Sequence, residues 1–258
     1  MVPAALALPT PLLVVLVVGL PILLAVTGLL LVRRLTPHTQ LQPHHDVAGY
    51  VYTALGVLYA VLLAFVVVVV WGGFNTAQAR VHQETDALST LFRQSQVFPA
   101  PVRAAIRAAV MAYARAVVEH EWSTMARGEE SQVARQTYEG LWQAIQLVDP
   151  RTPIEVNWHA AMLRTLPLLS DSRRDRLVDS REGLSPALWA VLLSGAVINI
   201  SYTYLFGVRS LAVHLLITAA LTAMTTLLLL VILLMDHPFA GAMRLDPAPF
   251  VRLLQSLE

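Results

Sequence analysis

The chain has 258 residues, of which 56% are hydrophobic and 14% charged, with a mean hydropathy of +0.61. Ordinary soluble domains carry about a quarter charged residues, and a soluble surface this apolar would aggregate. The formal charge of +1 offers no basic stripe for nucleic acid, and the absence of cysteine excludes disulfides, thiolate metal sites and a cysteine nucleophile.

The apolar residues gather in blocks, each near the ~20 residues needed to span a hydrocarbon core of about 30 Å. The first covers about 11–32 and stops at Arg33-Arg34. It has no basic stretch ahead of it and exceeds the ~7–15 apolar residues of a secretory signal, so it reads as a retained crossing. Pro21 inside it is expected to kink the helix, which membrane helices tolerate. His44-His45-Asp46 follows in a short loop; adjacent histidines point to different faces, so a polar interfacial loop is a better reading than a chelate.

The second block covers about 47–71 and is almost wholly aliphatic in its second half. Val57, Val61 and Phe65 recur every four residues, one above another on a helix face. Lipid contact is one explanation. The other is an apolar collar, made by several copies around an axis, which gates ions by dewetting. The helix is expected to continue beyond the membrane, so Asn75, Gln78, Arg80 and Glu84 are candidates for a pore mouth, subject to helix rotation.

Residues 76–186 read as helix throughout: the continuation of the second block to Pro99, a helix over about 102–125, another over about 131–148, and a fourth over about 154–181 interrupted by Pro167. Glu119, His120 and Glu121 read as a solvated face, lacking the spacing that puts two metal ligands on one side. The Arg-rich run 172–176 reads as facing lipid headgroups or a partner, or as a vestibule that concentrates anions.

The third and fourth blocks cover about 187–208 and 211–235 and form an antiparallel hairpin through the link at 207–210. Thr218, Thr222 and Thr225 share a face, which suits helix packing by hydrogen bonds or, alternatively, a wet pathway. Four crossings put both termini on one side with the 76–186 segment. Arg80, Arg93, Arg173, Arg174, Arg176, Arg181, Arg244 and Arg252 lie on that side, against Arg33, Arg34 and Arg209 opposite, so the termini and the insert are expected in the cytoplasm. The expected fold is all-α: transmembrane helices over 1–75, a cytoplasmic helical domain over 76–186, a transmembrane hairpin over 187–236 and a cytoplasmic tail over 237–258. No phosphate loop, nucleophile elbow or paired intramembrane carboxylates suggest an enzyme or a cofactor.

The segment His45-Asp46-Val47-Ala48-Gly49, the run Tyr59-Ala60-Val61-Leu62-Leu63-Ala64-Phe65, then Trp71, Phe74-Asn75 and Val81-His82-Gln83-Glu84, resembles the bestrophin-like membrane family of bacteria. The arrangement of two crossings, a helical insert and two more crossings agrees over nearly the whole chain. More distantly it is similar to the bestrophin channels, whose second crossing lines a pentameric pore. Aligned on Leu62-Leu63-Ala64-Phe65, the resemblance places Val57, Val61 and Phe65 at the neck of that pore. Two of these are Val rather than larger side chains, and the calcium-binding acidic cluster of animal bestrophins has no counterpart. The resemblance implies a homo-oligomer, a pentamer, in the bacterial inner membrane, passing small inorganic ions, with anions such as chloride among the candidates. The competing reading is a membrane-anchored signalling or interaction module acting through its helical insert.

Overall fold

The computed structural model describes residues 6, 8–35, 45–206 and 208–257; the side chains of 45–48 are outside that description, and with them the His44-His45-Asp46 cluster. The described residues are all-helical, without strands. Helix α1 covers Thr10–Leu35, α2 His45–Gln94, α4 Gln132–Gln146, α5 Pro153–Asp179, α6 Pro186–Tyr202, α7 Leu211–Met235 and α8 Ala248–Leu257. Helix α3 is composite, running from Ala100–Ala116 through a π-turn at Val117–Glu121 into Trp122–Met125. Among the described residues four helices are long and apolar enough to cross a membrane: Thr10–Leu35, Gly49–Val97, Pro186–Leu205 and Leu211–Met235.

Prolines and caps explain the element ends. Pro21 has no N–H and crowds the carbonyl four residues back, at Val17. The helix absorbs this in a π-turn at Val15–Gly19 and runs on to Leu35. The hydroxyls of Ser131, Thr152, Ser185 and Ser210 accept from backbone N–H groups of the first turns of α4, α5, α6 and α7, satisfying donors that the helix leaves open. Pro153 and Pro186 take the first helical position, where no N–H is needed. The expected interruption at Pro167 does not occur: α5 passes through it. Met162, Leu166 and Leu169, fully buried on either side of it, hold the helix together across the missing hydrogen bond.

The chain divides into two compact units. One comprises residues 73–183 and 237–257; the other comprises the described residues of 4–72 and 184–236. Helix α2 contributes to both. The first unit has the larger core, built from Val81, Leu88 and Leu91 of α2, Ile106, Val110 and Tyr113 of α3, Leu141 and Ile145 of α4, and Met162, Leu166 and Leu169 of α5. Residues 237–258, expected as a tail, supply Phe239, Phe250 and Leu253 to the same core. The ring of Trp122 meets Phe239 and Phe250 edge-on at 5.6 and 6.0 Å, and its Nε1 donates to the Leu245 carbonyl at 3.0 Å.

The second unit consists of the crossing helices. In the 18-residue apolar windows of α1, α2, α6 and α7 only 17%, 22%, 22% and 39% of residues are buried, so most of the apolar surface is left for lipid or other chains. The internal contacts are close where they occur. Gly195 of α6 lies against the ring of Tyr59 of α2, whose hydroxyl donates to the Leu192 carbonyl at 3.0 Å. Gly28 of α1 lies against Tyr204 in the same way.

Candidate functional site

Helix α2 has 50 residues, about 75 Å at 1.5 Å per residue, more than twice the hydrocarbon thickness. With 3.6 residues per turn its faces can be followed along its length. Tyr59, Leu63, Val66, Val70, Ala77, Val81, Glu84 and Leu88 make the buried face. Val57, Val61, Phe65 and Val68 lie on the opposite side and are 57%, 49%, 68% and 68% exposed. Continuing at the same spacing, that side carries Gly72, Asn75, Ala79, His82 and Asp86, all exposed. The stripe therefore changes from apolar to polar just past Trp71.

The rotation of α2 separates the four candidates for a pore mouth. Asn75 is in line with Val57 and exposed; Gln78 is exposed on the adjoining flank. Arg80 is turned away, its Nη1 2.5 Å from Asp179 Oδ1 and its Nε 3.6 Å from Asp175 Oδ2. Burial raises the Asp179 carboxyl above the usual range, a shift that Arg80 opposes. Glu84 is a half turn from the stripe and has no accessible surface. A carboxylate enclosed by its own chain lines no solvent-filled path, so Glu84 does not belong with Asn75 and Gln78.

Glu84 instead anchors a buried ionic network. Arg176 of α5 donates from Nε to Glu84 Oε2 at 2.6 Å, from Nη2 to Glu84 Oε1 at 3.0 Å, and from Nη2 to Glu121 Oε2 at 2.6 Å. Arg173, one turn earlier, donates from Nη2 to Glu121 Oε1 at 2.7 Å and to Glu130 Oε1 at 3.0 Å. The Tyr113 hydroxyl donates to Glu84 Oε1. Burial alone would lower the Arg176 pKa, but Glu84 and Glu121 outweigh it and hold the guanidinium well above its ordinary value. Burial, with Glu84 adding to it, pushes the Tyr113 phenol well above 10.0. Two sequence expectations are corrected here. Glu121 is fully buried on the π-turn rather than solvated, and of the run at 172–176 Arg173 and Arg176 turn inward while Arg174 stays 71% exposed. The signal available in the sequence was the i, i+3 spacing of Arg173 and Arg176, which puts both on the face of Leu166, Leu169 and Leu177.

The polar residues of the second unit bond mainly within their own helices. Thr222 Oγ1 donates to the Thr218 carbonyl at 2.7 Å and Thr226 Oγ1 to the Thr222 carbonyl at 2.8 Å. Thr203 Oγ1 meets Thr218 Oγ1 at 3.3 Å, and His214 Nε2 lies 2.9 Å from the Thr203 carbonyl, joining α7 to the end of α6. This is the packing expected of the Thr face; with Thr218 and Thr222 fully buried, it gives no support to a wet pathway there. Asn199 differs: it is 6% exposed and its Oδ1 has no hydrogen-bond partner. Among the described residues no group of three or more His, Asp or Glu is placed to hold a metal ion.

The family model for the bestrophin-like domain matches residues 19–250. The fold is similar to that of a mutant of a bacterial bestrophin homolog from Klebsiella pneumoniae, with a TM-score of 0.71 at 14% identity over 93% of this chain and 97% of that chain. The same homolog phased on zinc gives a TM-score of 0.69 at 14% identity, covering 92% and 96%. A further crystal structure, described as a membrane protein, gives 0.71 at 13% identity, covering 93% and 97%. No curated protein matches the chain.

Proposed function

The chain belongs to the bestrophin-like domain family, and from that premise we propose that it is an oligomeric channel passing small inorganic ions passively through a pore lined by α2. The observation that carries this reading is the exposed stripe of α2. Val57, Val61 and Phe65 are left uncovered by their own chain and lead in line to Asn75. Repeated around an axis, they make an apolar collar, the kind of constriction that gates by dewetting. A pentamer is the assembly favoured by the resemblance to bestrophins. Asn75 and Gln78 carry no formal charge and the carboxylate of Asp86 follows on the same side of α2, so the charge of the path does not single out one sign, and anions such as chloride are among the candidate ions. The Arg distribution supports an inner-membrane protein with its termini and the helical unit in the cytoplasm.

Purified protein in liposomes is expected to carry ion current, with reversal potentials in asymmetric salt giving the selectivity. Phe65→Ala widens the neck and is expected to raise conductance or the open fraction several-fold. A correctly assembled oligomer with no flux under any ion gradient would overturn the channel reading. A detergent-stable monomer would favour a membrane-anchored interaction module working through the helical unit.

A further inference from the structure

The helical unit carries a cluster of charge that the channel reading does not use. The late part of α5 and the start of α4 border a cleft of about 420 Å³, lined among others by Glu130, Tyr138, Asp171, Arg173, Arg174 and Arg181. Three guanidiniums therefore stand against two carboxylates, and the lining is positive on balance. That balance favours an anion over a cation. Arg174 and Arg181 are exposed, whereas the Arg173 side chain beside them is nine-tenths buried.

Arg173 and Arg176 are both buried on α5, yet they are not equally satisfied. Arg176 engages all three of its nitrogens, Nε and Nη2 on carboxylates and Nη1 on Met125 Sδ at 2.7 Å. Arg173 makes both of its carboxylate bonds from Nη2. Its Nε is buried and, among the described residues, has no hydrogen-bond partner. A buried donor on a charged group is seldom left so, because its lost hydration is not replaced. The guanidinium is also held in place. It lies 4.9 Å from the centre of the Tyr138 ring, and the Tyr138 hydroxyl and Ser170 Oγ are 2.6 Å apart. Arg173 thus offers the cleft a fixed fork with a donor in reserve. The carboxylates at the rim are held loosely by comparison. The Glu130 side chain is 30% exposed, and Arg174 meets Asp171 at 3.2 Å with both side chains mostly exposed. Exposed ion pairs contribute little, so a multivalent anion competes with them readily.

We propose that this cleft binds a phosphate group, with Arg173 as the buried anchor and Arg174 and Arg181 as its rim. A carboxylate has two oxygens to share, whereas a phosphate has enough to meet three guanidiniums, whose planar forks match its oxygens in pairs. Leu177 and Val178 add an apolar wall, so the group is either free phosphate or the phosphate of a lipid headgroup. The site lies wholly within the helical unit and does not depend on the channel reading.

The test is binding by the full chain in two arms. Isothermal titration in detergent uses inorganic phosphate against chloride at matched ionic strength; native mass spectrometry reads phosphatidylglycerol retained from nanodiscs. Saturable, stoichiometric uptake of inorganic phosphate assigns the site to free phosphate, and retention of phosphatidylglycerol without such uptake assigns it to a headgroup. Arg174→Ala with Arg181→Ala, both at exposed positions, is expected to weaken whichever binding is seen by about tenfold or more while keeping the wild-type melting temperature. Glu130→Gln removes a competing charge yet leaves Arg173 an acceptor, and is expected to strengthen binding several-fold. A merely structural Glu130 gives no such gain, so the result does not hang on the arginine variant folding. Saturable binding of neither probe would overturn the proposal. So would phosphate binding that chloride abolishes at equal ionic strength, or binding that both variants leave unchanged.

Discussion

Arg176 shows how much one buried charge depends on its partners. A guanidinium without accessible surface is stable only because Glu84 and Glu121 both bond it, and the two carboxylates tolerate each other only because it stands between them. Such a network adds little stability beyond a well-packed apolar equivalent, yet removing one member is costly. Arg176→Met is expected to destabilise the protein by about 3–5 kcal/mol in thermal unfolding followed by circular dichroism. Adding Glu84→Gln and Glu121→Gln should recover part of the loss; no recovery would mean that the guanidinium matters for its shape rather than its charge. Tyr113 makes the network sensitive to alkali. Its phenol is raised above 10.0 by burial and then by Glu84, so the folded state holds the proton more tightly than the unfolded chain does. The stability it contributes is complete below pH 10 and is lost as pH rises toward the folded value. The melting temperature is therefore expected to fall above pH 10, and Tyr113→Phe to flatten that fall.

At the scale of elements, glycine and proline substitutions separate positions that look alike in the sequence. Gly195→Ala puts a Cβ 2.7 Å from the Tyr59 ring, which is tied to the Leu192 carbonyl, and is expected to cost about 1–3 kcal/mol by overpacking. Gly56→Ala, on a helix of the same unit, meets no atom of its own chain and is expected to leave the single chain unharmed. A melting temperature that shifts equally for both would contradict the contact between Tyr59 and Gly195. Pro167 stands on the exposed side of α5, inside an unbroken helix. Pro167→Ala restores a backbone donor and is expected to raise stability by about 1–3 kcal/mol in the same melts. No gain would mean that the helix had already accommodated the missing bond.

At the scale of the whole molecule the first question is which side of the membrane holds the helical unit. The chain has no cysteine, so single introduced thiols report position without background. Gln136→Cys on α4 is expected to resist an impermeant maleimide in intact cells, and Arg209→Cys between α6 and α7 to react. The reverse pattern would invert the proposed orientation. The burial of Arg173 and Arg176 makes this measurement more pointed, because two of the charges behind the cytoplasmic assignment serve the core instead.

The sequence by itself determined the all-helical class, the family and the four runs long and apolar enough to cross a membrane. A run of some twenty apolar residues has few options in water, and hydropathy is a local property that needs no knowledge of neighbours. It also marked the spacing of Val57, Val61 and Phe65, because a helix repeats at a known period. What only the tertiary structure decided is which way each helix turns. Glu84, three turns past Trp71, reads locally as a polar residue of an emerging helix; its burial follows from Arg176, 92 positions away. Glu121 is a similar case, solvated by local pattern and buried by distant packing, and Phe239, Phe250 and Leu253 bring the stretch expected as a tail into the same core. The stripe of α2 is the converse: its residues were legible, and its exposure, which makes it a candidate pore surface, became visible only once the rest of the chain had packed without covering it.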